Sequence, residues 1–164
     1  DALSRPKAAE AVRTVLMSGV AAEAPIHVDR LARLTAAAFG LGRVAQARKA
    51  AIAALVPVAL MTGEFVWSTP DQAGDWTGFR RQPTGSDRPL EQVAPEEIGN
   101  AMVALCRAAA GMTQDELFAQ TLDVFGYRRR TTAQVAVLEA ALDRVTGNGR
   151  LAQGPSGLLT ARAG

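Results

Sequence analysis

The chain has 164 residues and a mass of 17.2 kDa, enough for one ordinary domain or two small ones. Hydrophobic residues make up 48% and charged residues 21%, a globular composition that excludes a chain disordered throughout. Lys and Arg number 18 against 16 Asp and Glu, so the net charge of +2 excludes a histone-like polycation and a strongly acidic tail while leaving room for a local basic face.

From the N-terminus, a first helix is predicted over residues 6–22, with Pro6 in its first turn. Glu23-Ala24-Pro25 breaks it. A second helix follows over residues 28–39, with Leu31 and Leu34 turned inward and Gly40 as its stop. A short turn carrying Arg43 leads to a third helix over residues 44–55. Its apolar stripe is Val44, Ala47, Ala51, Ile52 and Leu55, which leaves Gln46, Arg48 and Lys49 outside. Thr62-Gly63 and the β-prone run Glu64-Phe65-Val66-Trp67 then open a hairpin. Residues 68–94 change character, with Pro70, Pro83, Pro89, three glycines and three aspartates. They read as an irregular linker whose Trp76 and Phe79 pack on a domain surface, and residues 78–82 as a second wing strand.

A further helix is predicted over residues 95–109, with Pro95 at its start and Glu96 and Glu97 where the helix dipole favours acids. After Ala110-Gly111 another spans residues 114–125, with Thr113 as N-cap and Glu116 completing a capping box. Gly126 ends it. The last helix covers residues 132–145, with Val135, Leu138, Leu142 and Val145 on one stripe. A glycine turn, the segment Arg150-Leu151-Ala152 and a return strand within residues 154–164 close the chain.

The second series repeats the first at an offset of 86 residues. Val12 falls on Ile98, Leu16 on Met102, Ile26 on Met112, Asp29 on Asp115 and Leu31 on Leu117. Phe39-Gly40 falls on Phe125-Gly126, Arg43 on Arg129, Ile52 on Leu138, Gly63 on Gly149 and Phe65 on Leu151. The expected fold is therefore mainly α (α+β): tandem winged-helix-like units of three helices plus a short β-hairpin each. The first occupies residues 1–67, its wing reaching to about residue 82. Residues 68–94 are the linker and residues 95–164 the second unit.

One Cys, one His and two Lys leave little for catalysis. Cys106 can form no internal disulfide, His27 reads as a helix-start residue, and neither Lys7 nor Lys49 follows a phosphate-binding glycine loop. No catalytic group, cofactor or metal ligand is expected. The richest feature is Arg128-Arg129-Arg130, just before the last helix. Helix-turn-helix proteins insert that end of the helix into the major groove. Cations there oppose the helix dipole at a cost of up to about 1 kcal/mol, so three together point to a role other than helix stability. Arg43, Arg48 and Lys49 are the first unit's weaker equivalent, and Arg80 and Arg81 are placed on a wing. These eight are the expected nucleic-acid-binding residues; an acidic neighbouring domain and plain solvent are the other readings. Residues 1–94 hold 11 basic and 9 acidic groups and residues 95–164 hold 7 of each, which favours weak, salt-sensitive binding. The longest apolar run, residues 50–61, is interrupted by Pro57 and too short for a membrane span. We expect no membrane partner, a cytoplasmic location, and, since the chain begins at Asp1, a piece of a longer protein.

Ala24-Pro25-Ile26-His27-Val28-Asp29-Arg30-Leu31, the run Ala38-Phe39-Gly40-Leu41-Gly42-Arg43, Glu64-Phe65-Val66-Trp67 and Ala94-Pro95-Glu96-Glu97-Ile98 together resemble an uncharacterised bacterial domain family. It sits at the C-terminal end of very large superfamily-one-like DNA helicases that often carry a restriction-endonuclease-like domain. The resemblance runs from about Val20 to Leu151 and supplies no functional residues. It implies a non-catalytic accessory module that holds duplex or forked DNA beside the motor, with the parent helicase domains as partners in cis. The alternatives are a protein-interaction or dimerisation module docking on the parent helicase, and an independent transcription regulator.

Overall fold

In a computed structural model, residues 6–43, 45–84 and 88–162 are described. The fold is mainly helical with two small antiparallel sheets. It divides into two compact units, the first ending at Asp75 and the second beginning at Trp76. The segment read as a linker is thus shared between them.

In the first unit, α1 (Pro6–Glu23) buries Val12, Leu16 and Val20, four residues apart on one stripe. A cis Ala24–Pro25 peptide precedes β1 (Ile26–His27). α2 (Val28–Ala38) is capped by His27, whose Nδ1 accepts from the Asp29 amide at 3.1 Å. α2 buries Leu31, Ala32, Thr35 and Ala36. Leu34, expected inward, lies off that face and is 38% exposed. Gly40 ends the helix at φ +80°. The third helix, α3 (Gln46–Ala53), is shorter than expected and contributes Ile52 to the core; Val44 lies outside the described residues.

A 3-10 turn (Val58–Leu60) leads into β2 (Met61–Thr62) and β3 (Phe65–Val66), and the sheet order is β1-β3-β2. The segment expected to open the hairpin is its return strand instead. Gly63, at φ +59°, makes the tight turn inside the hairpin rather than preceding it. The short helix α4 (Gln72–Asp75) ends this unit.

In the second unit, the described residues between 76 and 93 hold a 3-10 turn (Leu90–Gln92) and no strand, so the wing strand expected at 78–82 is not formed. α5 (Pro95–Ala109) is buried over most of its length. Cys106 is on it with no exposed surface, and burial pushes its thiol pKa up. α6 (Gln114–Val124) is capped by Thr113, whose hydroxyl accepts from the Glu116 amide. α7 (Thr132–Gly147) carries Leu138, Ala141, Leu142 and Val145 inward.

β4 (Leu151–Gln153) and β5 (Leu159–Ala161) pair antiparallel, and β5 also bridges to Met112. Met112 therefore stands where β1 stands in the first unit, and the order Met112-β5-β4 repeats β1-β3-β2. The repeated positions Val12/Ile98, Leu16/Met102, Ile26/Met112, Leu31/Leu117 and Ile52/Leu138 are buried in both copies. The glycine pair does not correspond in space. Gly149 lies between α7 and β4, before its hairpin, because the second hairpin turns later, through residues 154–158. Among the described residues no helix is long and apolar enough to cross a membrane.

Candidate nucleic-acid interface

The first unit gathers its cations around the turn from α2 to α3. Arg43 and Arg48 are exposed and Lys49 is half-buried. None of the three has an ion pair among the described residues. The amides of Arg48 and Lys49 both donate to the Ala45 carbonyl at 3.0 Å, so these two cations sit on the first turn of α3. From Arg30 to Gly63 the chain contains no Asp or Glu, while it carries Arg30, Arg33, Arg43, Arg48 and Lys49. Arg30 is tied to Glu23 (Nε to Oε2, 2.9 Å). Three large apolar side chains in the same acid-free run are exposed: Leu34, Phe39 at 47% and Val58.

In the second unit the arginine triplet fills the turn from α6 to α7, and its three members differ. Arg130 is fastened back onto the start of α6. Its Nη1 pairs with the Asp115 carboxylate and its Nη2 donates to the Asp115 carbonyl at 2.9 Å, with the guanidinium 6.0 Å from the centre of the Phe118 ring. Arg128 and Arg129 are exposed, with no ion pair among the described residues. The start of α7 is closed by a reciprocal capping box. The Thr131 hydroxyl accepts from the Gln134 amide, and the Gln134 Oε1 accepts from the Thr131 amide, both at 3.1 Å. Farther along α7, Glu139 and Asp143 are exposed beside Ala136 and Ala140.

Arg80 and Arg81, expected on a wing, lie in the extended segment before α5. Arg81 is exposed. Arg80 serves the fold: its backbone amide and Nε each reach Glu97 Oε1 at 2.9 Å, and its Nη2 reaches Oε2 at 3.0 Å. Its guanidinium also lies 5.9 Å from the Trp76 ring centre. Arg88, itself buried, approaches the same carboxylate at 3.6 Å. Glu97 has no exposed surface.

The same segment is bound along its length. Asn100 donates to the carbonyls of Trp76 (3.0 Å) and Gly78 (2.8 Å) and accepts from Arg150 Nη1 (2.7 Å). Gln82 donates to the carbonyls of Val124 (3.0 Å) and Phe125 (3.3 Å), and Phe79 packs on the core. The Tyr127 hydroxyl donates to the Arg88 carbonyl. Burial pushes the Tyr127 pKa up, a shift that nearby Arg88 opposes. Residues 76–84 and 88–93 thus strap the α6–α7 turn, where Phe125 has no exposed surface.

Sequence reasoning assigned Glu97 to dipole compensation and gave Asn100 no role. The available signal was their place on α5. Glu97 stands one turn before Ala101 in an apolar helix, where a charge is tolerated only with partners. Among the described residues no group of three or more His, Cys, Asp or Glu side chains is placed to hold a metal ion. An open groove of about 480 Å³ lies between α7 and the second hairpin, with Asp143, Gln153 and Arg162 on its walls.

The model of a family described as "Protein of unknown function (DUF3320)" matches residues 1–50, which include α1, β1 and α2. Comparison with curated proteins and with solved structures gives no match. Over its first 50 residues the chain is thus similar to an uncharacterised domain family.

Proposed function

We propose that this chain is a non-catalytic nucleic-acid-binding module built of tandem winged-helix-like units. It holds duplex or forked DNA for a helicase or nuclease of which it is an accessory part. The observation that carries the reading is the acid-free run from Arg30 to Gly63, with Arg43, Arg48 and Lys49 displayed at the turn and first turn of a third helix. Three helices with a sheet in the order first-third-second strand support the winged-helix comparison in each unit. The link to a helicase rests on the family resemblance in sequence.

Fluorescence anisotropy with blunt duplex, forked and single-stranded DNA across a salt series tests it. Binding that weakens steeply with salt is the expected result. Absence of binding at low salt overturns the reading.

A second reading, a protein-interaction module, is favoured by the exposed Leu34, Phe39 and Val58, the last 87% exposed. It predicts capture by the parent helicase without nucleic acid.

A further inference from the structure

The two copies of the repeat present their second-to-third helix turns in opposite ways, and this bears on which copy meets the nucleic acid. In the second unit the turn is taken up by the chain itself. Phe125 has no exposed surface, Gln82 donates to the carbonyls of Val124 and Phe125, and a Cβ on Gly126 would come within 2.5 Å of the Pro83 carbonyl oxygen. Its cations are also reduced: Arg130 is bound to Asp115, and the outward face of α7 continues into Glu139 and Asp143.

In the first unit the described counterparts of these positions differ. Phe39, the repeat partner of Phe125, is 47% exposed. A Cβ on Gly40 would meet nothing within 4 Å. The position matching Glu97, which anchors the strap, is Ala11. No acid interrupts Arg43, Arg48 and Lys49.

Resting on the nucleic-acid reading above, we infer that the first unit carries the contact. Arg43, Arg48 and Lys49 grip the phosphates of a duplex, and Phe39 stacks on an unpaired base at its edge. An exposed aromatic at the start of a turn that carries cations suits unpaired bases, since every base has a face to stack and every nucleotide a phosphate to neutralise. Trp67 and Phe65 in the same unit are buried and cannot serve. The ligand class that follows is a duplex with a single-stranded end, held without base readout, with the second unit's closed turn contributing less.

The test uses the whole chain and three variants in anisotropy titrations on blunt and forked duplexes of equal length. Arg48→Ala with Lys49→Ala is expected to weaken both duplexes and lower the salt slope by about 2. Phe39→Ala is expected to lose the fork preference, about fivefold or more, with blunt-duplex affinity kept, and Phe39→Tyr to retain it. Arg128→Ala with Arg129→Ala is expected to weaken binding clearly less than the Arg48, Lys49 pair, since the main contact lies in the first unit. If that last variant loses as much as the first, or if Phe39→Ala weakens both duplexes equally, the inference falls while DNA binding stands. If the wild-type chain binds no DNA, the underlying reading falls and takes this one with it.

Discussion

Removing the Glu97 carboxylate from water costs several kcal/mol, and the fork of Arg80 together with Arg88 offsets that cost only while both remain in reach. Truncation leaves Arg88 buried without its anion. We expect Glu97→Ala to destabilise the second unit by about 3–5 kcal/mol in urea unfolding. Arg80→Ala acts on the same cluster, so any loss of DNA binding in that variant must be read against its stability.

Tyr127, the one tyrosine of the chain, allows a pH prediction. Burial favours its neutral phenol and raises the folded pKa above 10.0. The stability this contributes is complete below the ordinary tyrosine range and is lost as pH rises through the folded pKa. Ultraviolet titration of the native protein should therefore show ionisation at higher pH than in denaturant. A native midpoint at or below the denatured one would contradict it.

At the level of elements, the paired turns give a comparison within one molecule. Gly40 and Gly126 have φ of +80° and +82°, so alanine at either is strained by about 1–2 kcal/mol. Only at Gly126 does a methyl also strike the Pro83 carbonyl. Gly126→Ala should cost clearly more than Gly40→Ala in parallel urea titrations, and equal costs would mean that the strap yields freely. The helices were the legible part of this fold. Pro95 and the glycines after α2 and α6 mark their ends, and α5 spans residues 95–109 as expected. The first hairpin was misplaced because Gly63 and Gly149 align in sequence but serve different turns. The strap was illegible for another reason: Arg80 and Glu97 lie 17 residues apart, and an extended segment leaves no periodicity to read.

For the whole molecule, a net charge of +2 gives little long-range steering, so affinity depends on local contacts. Three phosphate contacts imply a log–log salt slope near −2.7, or a loss of about 40-fold between about 50 and 200 mM salt. A slope near zero would exclude phosphate contact as the main attraction. The candidate site was legible as residue types, since all eight cations could be read off the chain. Their availability was not: Arg80 and Arg130 are engaged by acids 17 and 15 residues away, which only the folded chain brings near. One further consequence belongs to Cys106, the single thiol, shut inside the second core. A thiol reagent cannot reach it until α5 separates from its neighbours. The pace of its modification would therefore serve as a clock for how often that core opens, separately from any event that leaves it closed.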